Sequence, residues 1–292
     1  MKIALFSGEN DQKTGEECWS LIVEDRVLPW KATDSGGRPE PDDFSGLVEF
    51  LALENDPTDL FDPASSLVLS DVRLLAPVQS PEEILCIGKN YAAHAAEMGG
   101  EVPEKPVVFG MFASAVTGPG CDVEIPDLAT QVDYEAELVA VIGKAGRNIP
   151  RSRALEHVFG YTCGNDITSR DWQKGQPGGQ WLLGKSIDGF APVGPWIVTA
   201  DELDPDNTDV KLRLNGETMQ SGNTGNLIFP VDYLIEHLSR FFTLRPGDLI
   251  FTGTPEGVGA GRTPPLFMKD GDVVEVEIPE IGILRNRITG SR

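Results

Sequence analysis

Residues 133–143 read Asp-Tyr-Glu-Ala-Glu-Leu-Val-Ala-Val-Ile-Gly, and this run constrains the fold more than any other. Leu138 to Ile142 is apolar and rich in β-branched residues, and Gly143 ends it, the pattern of a buried strand. Side chains alternate along a strand, so Glu135 and Glu137 share a face with Val139 and Val141. Their Cα atoms lie roughly 6–7 Å apart, which lets both carboxylates reach one cation. Unpaired charges at the mouth of a buried strand are costly, and a divalent ion removes that cost. A second apolar run, Val158 to Cys163, leads into Asp166, the natural third ligand. Three carboxylates with no nearby His or Cys suit a hard ion, Mg²⁺ or Mn²⁺, rather than zinc. The rival reading is chance, because 46 of the 292 residues are acidic and a Glu-x-Glu arises easily.

That acid excess also bounds the partners. A net charge of −22 and a pI near 4.4 argue against nucleic acid or an anionic membrane. Salt adaptation and ordinary solubility both account for such a surface. Short Val/Ile/Leu runs recur between turn signals, with 32 Gly and 22 Pro, which favours a β-rich fold over a helical bundle. Cys18, Cys86, Cys121 and Cys163 are scattered and form no Cys-x-x-Cys, so a reducing compartment fits best. The apolar run at the N-terminus is too short for a signal peptide, and no stretch approaches membrane-spanning length. A soluble, cytoplasmic protein is expected.

Two units are expected along the chain, residues 1–78 and 79–292, with the boundary in 76–81. The first reads as a small α/β unit. It has a strand over Lys2–Phe6 and a hairpin over Trp19–Trp30 turning at Glu24-Asp25-Arg26. A helix follows, capped by Asp42 or Asp43 with Phe44, Leu47, Val48 and Leu51 inward, and then a strand over Leu67–Leu75. The second unit opens with the strand Ile84–Ile87, which breaks at Gly88. The alanines after Tyr91 favour a short helix that Gly99-Gly100 ends. His94 and Glu97 are then i, i+3 neighbours. A carboxylate beside an imidazole holds its tautomer and raises its basicity, which suits a general base. An exposed helical pair of little consequence is the rival reading. With Gly on both sides and Pro103 and Pro106 beyond, the segment reads as a mobile lid.

Further on, 150–157 reads as a short helix capped by Ser152, with His157 structural. Arg170 and Gln173 lie just past Asp166 and can look back toward the ion. Lys185, in the apolar stretch 181–186, needs an anionic partner if buried; a lysine that snorkels to the surface is the alternative. Asn215-Gly216 marks a hairpin over 211–220. A helix over 230–242 places Val231, Leu234, Ile235, Leu238 and Phe241 inward. The glycine-rich 252–259 is not a Walker A, and its backbone N–H groups suit a carboxylate or oxyanion better than a nucleotide.

Five motifs in this order resemble the fumarylacetoacetate hydrolase family: 87–97 (Ile-Gly-Lys-Asn-Tyr-Ala-Ala-His-Ala-Ala-Glu), 133–138, 165–173 (Asn-Asp-Ile-Thr-Ser-Arg-Asp-Trp-Gln), 180–186 (Gln-Trp-Leu-Leu-Gly-Lys-Ser) and 252–259 (Thr-Gly-Thr-Pro-Glu-Gly-Val-Gly). The resemblance implies a β-rich α+β fold of mixed sheet layers with short helices. It implies a homodimer with one Mg²⁺ or Mn²⁺ per subunit, held by Glu135, Glu137 and Asp166. By motif, His94 and Glu97 would activate water, Lys185 would stabilise an oxyanion, and Lys89, Gln173, Gly253 and Thr254 would touch substrate. The founding members add an Asp ligand near the lid, whereas this chain reads Gly88-Lys89-Asn90, which leaves that position to water. Their longer aromatic substrate pocket has no clear counterpart, which favours shorter 2-oxo acids. The activity expected first is hydrolysis of a carbon–carbon bond in a 1,3-dicarbonyl 2-oxo acid, acylpyruvate- or fumarylpyruvate-like, through an enolate at the ion. The alternative is oxaloacetate tautomerisation or decarboxylation, or isomerisation of a 2-hydroxy-dienedioate, in the same site. A non-catalytic 2-oxo-acid-binding protein ranks last, since it needs no His–Glu pair.

Overall fold

The computed structural model describes residues 1–8, 17–31, 40–54 and 56–290. Every residue of the strand Ala136–Ile142 is buried, because the strand lies between two cores. Leu138, Ala140 and Ile142 join Val210, Leu212, Val274 and Val276 on one side. Val139 and Val141 join Leu249, Phe251, Ile3 and Leu47 on the other. Burial on both faces is why the sequence is a continuous apolar run rather than an alternation.

Among the described residues the large sheet has twelve strands. Ala136–Ile142 pairs antiparallel with Val158–Asn165 on one side and Leu249–Phe251 on the other. Leu249–Phe251 runs parallel to Ile84–Gly88, so the sheet is mixed. A second sheet of five strands (Glu217–Asn223, Asp209–Leu214, Val273–Ile278, Gly282–Gly290, Asp122–Ile125) covers one face. The fold is therefore the β-rich α+β arrangement expected, with mixed sheets and short helices. Among the described residues no helix is long and apolar enough to cross a membrane.

Residues before the expected boundary build their own strands and a helix, Phe44–Leu53, capped by Asp43 through its bond to the Gly46 N–H. They also extend the large sheet, since Lys2–Gly8 pairs antiparallel with Ala191–Thr199. Stretch 76–81 itself carries neither strand nor helix.

Three local expectations differ. The strand expected over Leu67–Leu75 is split by a turn at Leu69–Asp71, where the Leu69 N–H leaves the ladder for the Asp25 carbonyl. The helix at 151–157 is a 3₁₀ helix starting after Pro150, whose fixed φ opens the turn, and Ser152 is not its cap. The helix Val231–Ser239 ends before Phe241, which turns outward and is 62% exposed.

Candidate active site

Strand register brings the acids together. Ala136 faces Asn165 and Glu137 faces Gly164, so Glu135 and Asp166 meet where the two strands end, tied by the Asp166 N–H to the Glu135 carbonyl at 2.9 Å. Leu249–Phe251 and Ile84–Gly88 finish at the same place, delivering Gly253-Thr254 and Lys89. Four strand ends thus converge. One carboxylate oxygen from each of Glu135, Glu137 and Asp166 lies within 4.8 Å of the others, all buried.

Two cations and two backbone devices set this group. Lys185, buried, donates to Glu135 at 2.8 Å and Asp166 at 2.5 Å. Arg170 donates to Glu135 at 2.7 Å, to Asp133 at 2.9 Å and to the Gln173 Oε1 at 2.9 Å. Glu137 accepts the Gly253 N–H at 2.7 Å. Gly253 adopts φ +108° and sits against Asn90, where an added Cβ would be 2.7 Å away, so only glycine presents that N–H here. Asp133 accepts the N–H groups of Gly259 and Ala260 at 2.7 and 3.0 Å.

The electrostatics leave an excess of negative charge. Asp133, Glu135, Glu137 and Asp166 are four buried carboxylates facing two buried cations. Burial pushes Glu135 up, but Lys185 and Arg170 outweigh it and hold its carboxyl well below the usual range. Glu137 is pushed well above that range by burial, then by Asp166 and Glu135. Burial lifts Asp166 to about 7 against the pull of Lys185. Burial opposes charge on Lys185 as well, yet Asp166 and Glu135 raise its ammonium above the ordinary lysine value. Asp166 Oδ1 is buried without a hydrogen-bond partner. Four carboxylates against two cations, which leaves Glu137 and Asp166 short of counter-charge, an orphaned carboxylate oxygen and an all-oxygen donor set together fit a hard divalent cation.

A small, partly open cavity surrounds these groups, and Lys89, His94, Gln173, Lys185 and Thr254 line it with the three acids. His94 is buried on the helix Ala92–Glu97, its Nδ1 3.5 Å from Glu97. Glu97 lies behind His94 and is clasped by the Gly257 N–H at 3.0 Å. Burial raises the Glu97 pKa, but His94 and that N–H bring it below the usual value. Gly261 leaves space for Glu97, since a Cβ there would stand 2.4 Å from its Cδ. Phe109 and Trp181 pack edge to face at 5.3 Å and wall the cavity, with Lys185 Nζ 5.0 Å from the Phe109 ring.

The site residues expected from sequence thus gather in one place, apart from two that stand behind it. Glu97 lies outside the cavity wall, 3.5 Å from a His94 Nδ1 that is buried without a hydrogen-bond partner, and the Gly253 N–H is committed to Glu137. The Thr254 hydroxyl lines the cavity but also donates to the Ala136 carbonyl and accepts from Gln220. Sequence reasoning missed Asp133 as the anchor of Arg170. It also missed Gln220, which bonds the Ala136 N–H from a hairpin 84 residues away. Asn90 was passed over too; it is bonded to the Phe229 backbone and the Thr252 carbonyl, which makes it a brace and no ligand. Asp133 sits next to the motif that named the others, so its position was a usable signal. Gln220 and Asn90 had none, because their partners are distant in the chain.

Comparisons with known proteins point one way. A family model described as fumarylacetoacetate (FAA) hydrolase C-terminal matches residues 83–289. The mitochondrial oxaloacetate tautomerase fahd2 of Xenopus laevis is 48% identical over 220 residues, covering 75% of this chain and 69% of that protein. The solved structure of a fumarylacetoacetate hydrolase from Exiguobacterium antarcticum is 38% identical, with a TM-score of 0.84 and 100% of both chains covered. A 5-carboxymethyl-2-hydroxymuconate delta-isomerase from Mycobacterium smegmatis is 33% identical, with a TM-score of 0.77 and 100% of both chains covered.

Proposed function

The chain belongs to the fumarylacetoacetate hydrolase family, and from that premise we propose that it interconverts the keto and enol forms of a short 2-oxo acid of the oxaloacetate kind. One observation carries this reading. A single imidazole, His94, shares one cavity with three metal-competent carboxylates and a lysine held in its cationic form. Carbon–carbon hydrolysis was the activity expected first; the similarity to oxaloacetate tautomerases supports the tautomerase alternative instead.

Mg²⁺ or Mn²⁺ held by Glu135, Glu137 and Asp166 would supply Lewis-acid stabilisation of negative charge on the substrate's oxygens. The protein side supplies the rest. A proton on His94 Nδ1, facing Glu97, leaves Nε2 as the basic nitrogen that takes a proton from the carbon beside the carbonyl. The imidazolium so formed delivers that proton to the carbonyl oxygen to complete the enol, and the reverse reaction runs the same two transfers backwards, from oxygen to Nε2 and from Nε2 to carbon. Lys185 cannot serve as that base, because its carboxylate partners keep it protonated. Its positive charge instead offsets charge developing on the adjacent oxygen. Gln173 has its Oε1 fixed by Arg170, so its Nε2 is the donor available to a substrate acceptor. Phe109 and Trp181 present an apolar wall to the cavity, which disfavours a water positioned there to attack a substrate carbonyl.

Hydrolytic cleavage of an acylpyruvate is the second reading, supported by the same His94–Glu97 pair and by likeness to a fumarylacetoacetate hydrolase. The test is a panel of oxaloacetate and acylpyruvates with Mg²⁺ or Mn²⁺, following enol decay, decarboxylation and cleavage separately. Enol decay should dominate, and His94→Ala should slow it by about 10²–10⁴-fold, the usual contribution of a positioned base. Cleavage of acylpyruvate faster than oxaloacetate enol decay would reverse the ranking. The proposed assembly is a homodimer, which sedimentation of the metal-loaded protein checks.

A further inference from the structure

Met98, Arg170 and Lys174 line both the catalytic cavity and a wider, open outer cavity, and so mark the neck between the two. Most charges at this junction are already engaged. Arg170 is held by Asp133 and Glu135. Glu97, on the outer cavity, accepts the Gly257 N–H. Asp171, also on the outer cavity, accepts the Thr130 N–H at 2.8 Å, the Thr130 hydroxyl at 2.9 Å and the Ser169 hydroxyl at 2.5 Å.

Lys89 and Lys174 are the exceptions. Both line the catalytic cavity, and no ion pair to either is found among the described residues. Lys89 holds a left-handed backbone, φ +56°, which is uncommon for a non-glycine residue, and its side chain is half-buried against Gly100. Lys174 is exposed at the rim. Desolvation, then Arg170 and Lys89, push its ammonium pKa below the ordinary lysine value, and the more distant acids only partly offset them. Two cations without ion pairs thus line the cavity, Lys174 at the neck, while Glu135, Glu137 and Asp166 crowd the rest of it with carboxylates.

We infer that Lys174, with Lys89, forms a subsite for the second carboxylate of the substrate, so that the enzyme prefers 2-oxo dicarboxylates to 2-oxo monocarboxylates. The inference rests on the 2-oxo-acid reading above. An ion held by Glu135, Glu137 and Asp166 would draw the 2-oxo end, and the surrounding acids would repel a second carboxylate placed beside it. The neck is where counter-charge is spare. An ammonium on a flexible stem is a point charge that tolerates chains of differing length, unlike a guanidinium fork.

The test is calorimetric binding of 2-oxoglutarate and 2-oxobutanoate to the full-length, Mn²⁺-loaded protein. The dicarboxylate should bind more tightly by about tenfold or more, the worth of one charge-assisted hydrogen bond at a partly solvated rim. Lys174→Ala should lose most of that preference and Lys174→Arg should retain it. Rising ionic strength should narrow it in the unmodified protein, as expected for an exposed charge. Equal binding of the two acids, or an undiminished preference in Lys174→Ala, overturns the subsite. Loss of the tautomerase reading would register differently, as 2-oxo acids that bind while oxaloacetate enol decay is not accelerated. Binding of neither acid overturns both.

Discussion

Glu137 carries the sharpest test of the acidic centre, because metal-free and metal-loaded protein should respond to its loss in opposite senses. In the metal-free protein its carboxyl is raised by burial and by Asp166 and Glu135. A folded-state pKa above the unfolded value means that stability is full at low pH and falls as pH rises through the folded pKa. Glu137→Gln removes that loss while keeping an oxygen to accept the Gly253 N–H. The metal-free variant should therefore melt higher than the metal-free parent, increasingly so with rising pH, by about 2–4 °C for each kcal/mol relieved. Mn²⁺ should raise the melting temperature of the parent and do little for the variant, whose affinity should drop by at least about 100-fold. Calorimetry with a chelator and with Mn²⁺ reads both; unchanged affinity would remove Glu137 from the ligand set. The reason this centre was legible in the sequence is physical. Glu135, Glu137, Asp166 and Lys185 each sit in or beside an apolar run where a charge demands a partner. Gln220 and Asn90 sit in no such setting, and only the tertiary fold gives them their partners.

Elements were legible where a strong local rule decides them. Asn215-Gly216 takes positive φ at both residues, as a two-residue hairpin turn needs, and the hairpin is there. Helix ends were read less well, since packing decides where a period stops, as Phe241 illustrates. The helix Ala92–Glu97 has six residues, too few to persist alone, so its order depends on what clasps it. Asn90 braces its base from a fully buried position, and Glu97 ties its end to Gly257. Beyond it Gly99 takes φ +70° and Gly100 follows, with no further helix or strand before Val107. Amides of residues 91–103 should therefore exchange hydrogen faster than those of Ala136–Ile142 in the free protein. Oxalate with Mn²⁺ should slow them selectively, because closure over a ligand adds contacts that the free segment lacks. Equal protection in the two states would mean that the segment is a fixed wall and not a gate.

At the scale of the whole molecule, the break in composition at 76–81 suggests two units, while the sheet runs across it. Lys2–Gly8 hydrogen-bonds to Ala191–Thr199, and Phe44 meets Phe159 edge to face at 5.2 Å. Ile3, Leu5, Phe44 and Leu47 are buried in the same core as Val139, Val141 and Phe251. Those four side chains alone represent about 1.5–3 kcal/mol each of burial, against a net stability of about 5–15 kcal/mol for a typical protein. Removing residues 1–78 would also leave Ala191–Thr199 as an open, apolar edge, a template for aggregation. We therefore expect residues 79–292 expressed alone to lack a cooperative melting transition and to associate, and co-expressed residues 1–78 to restore both solubility and Mn²⁺ binding. The opposite result has an equally direct meaning. A truncated chain that melts cooperatively and binds Mn²⁺ with undiminished affinity would make the N-terminal residues a dispensable cover. It would place the boundary where the sequence suggests, and the acidic centre would then owe its geometry to the strand ends of the second unit alone.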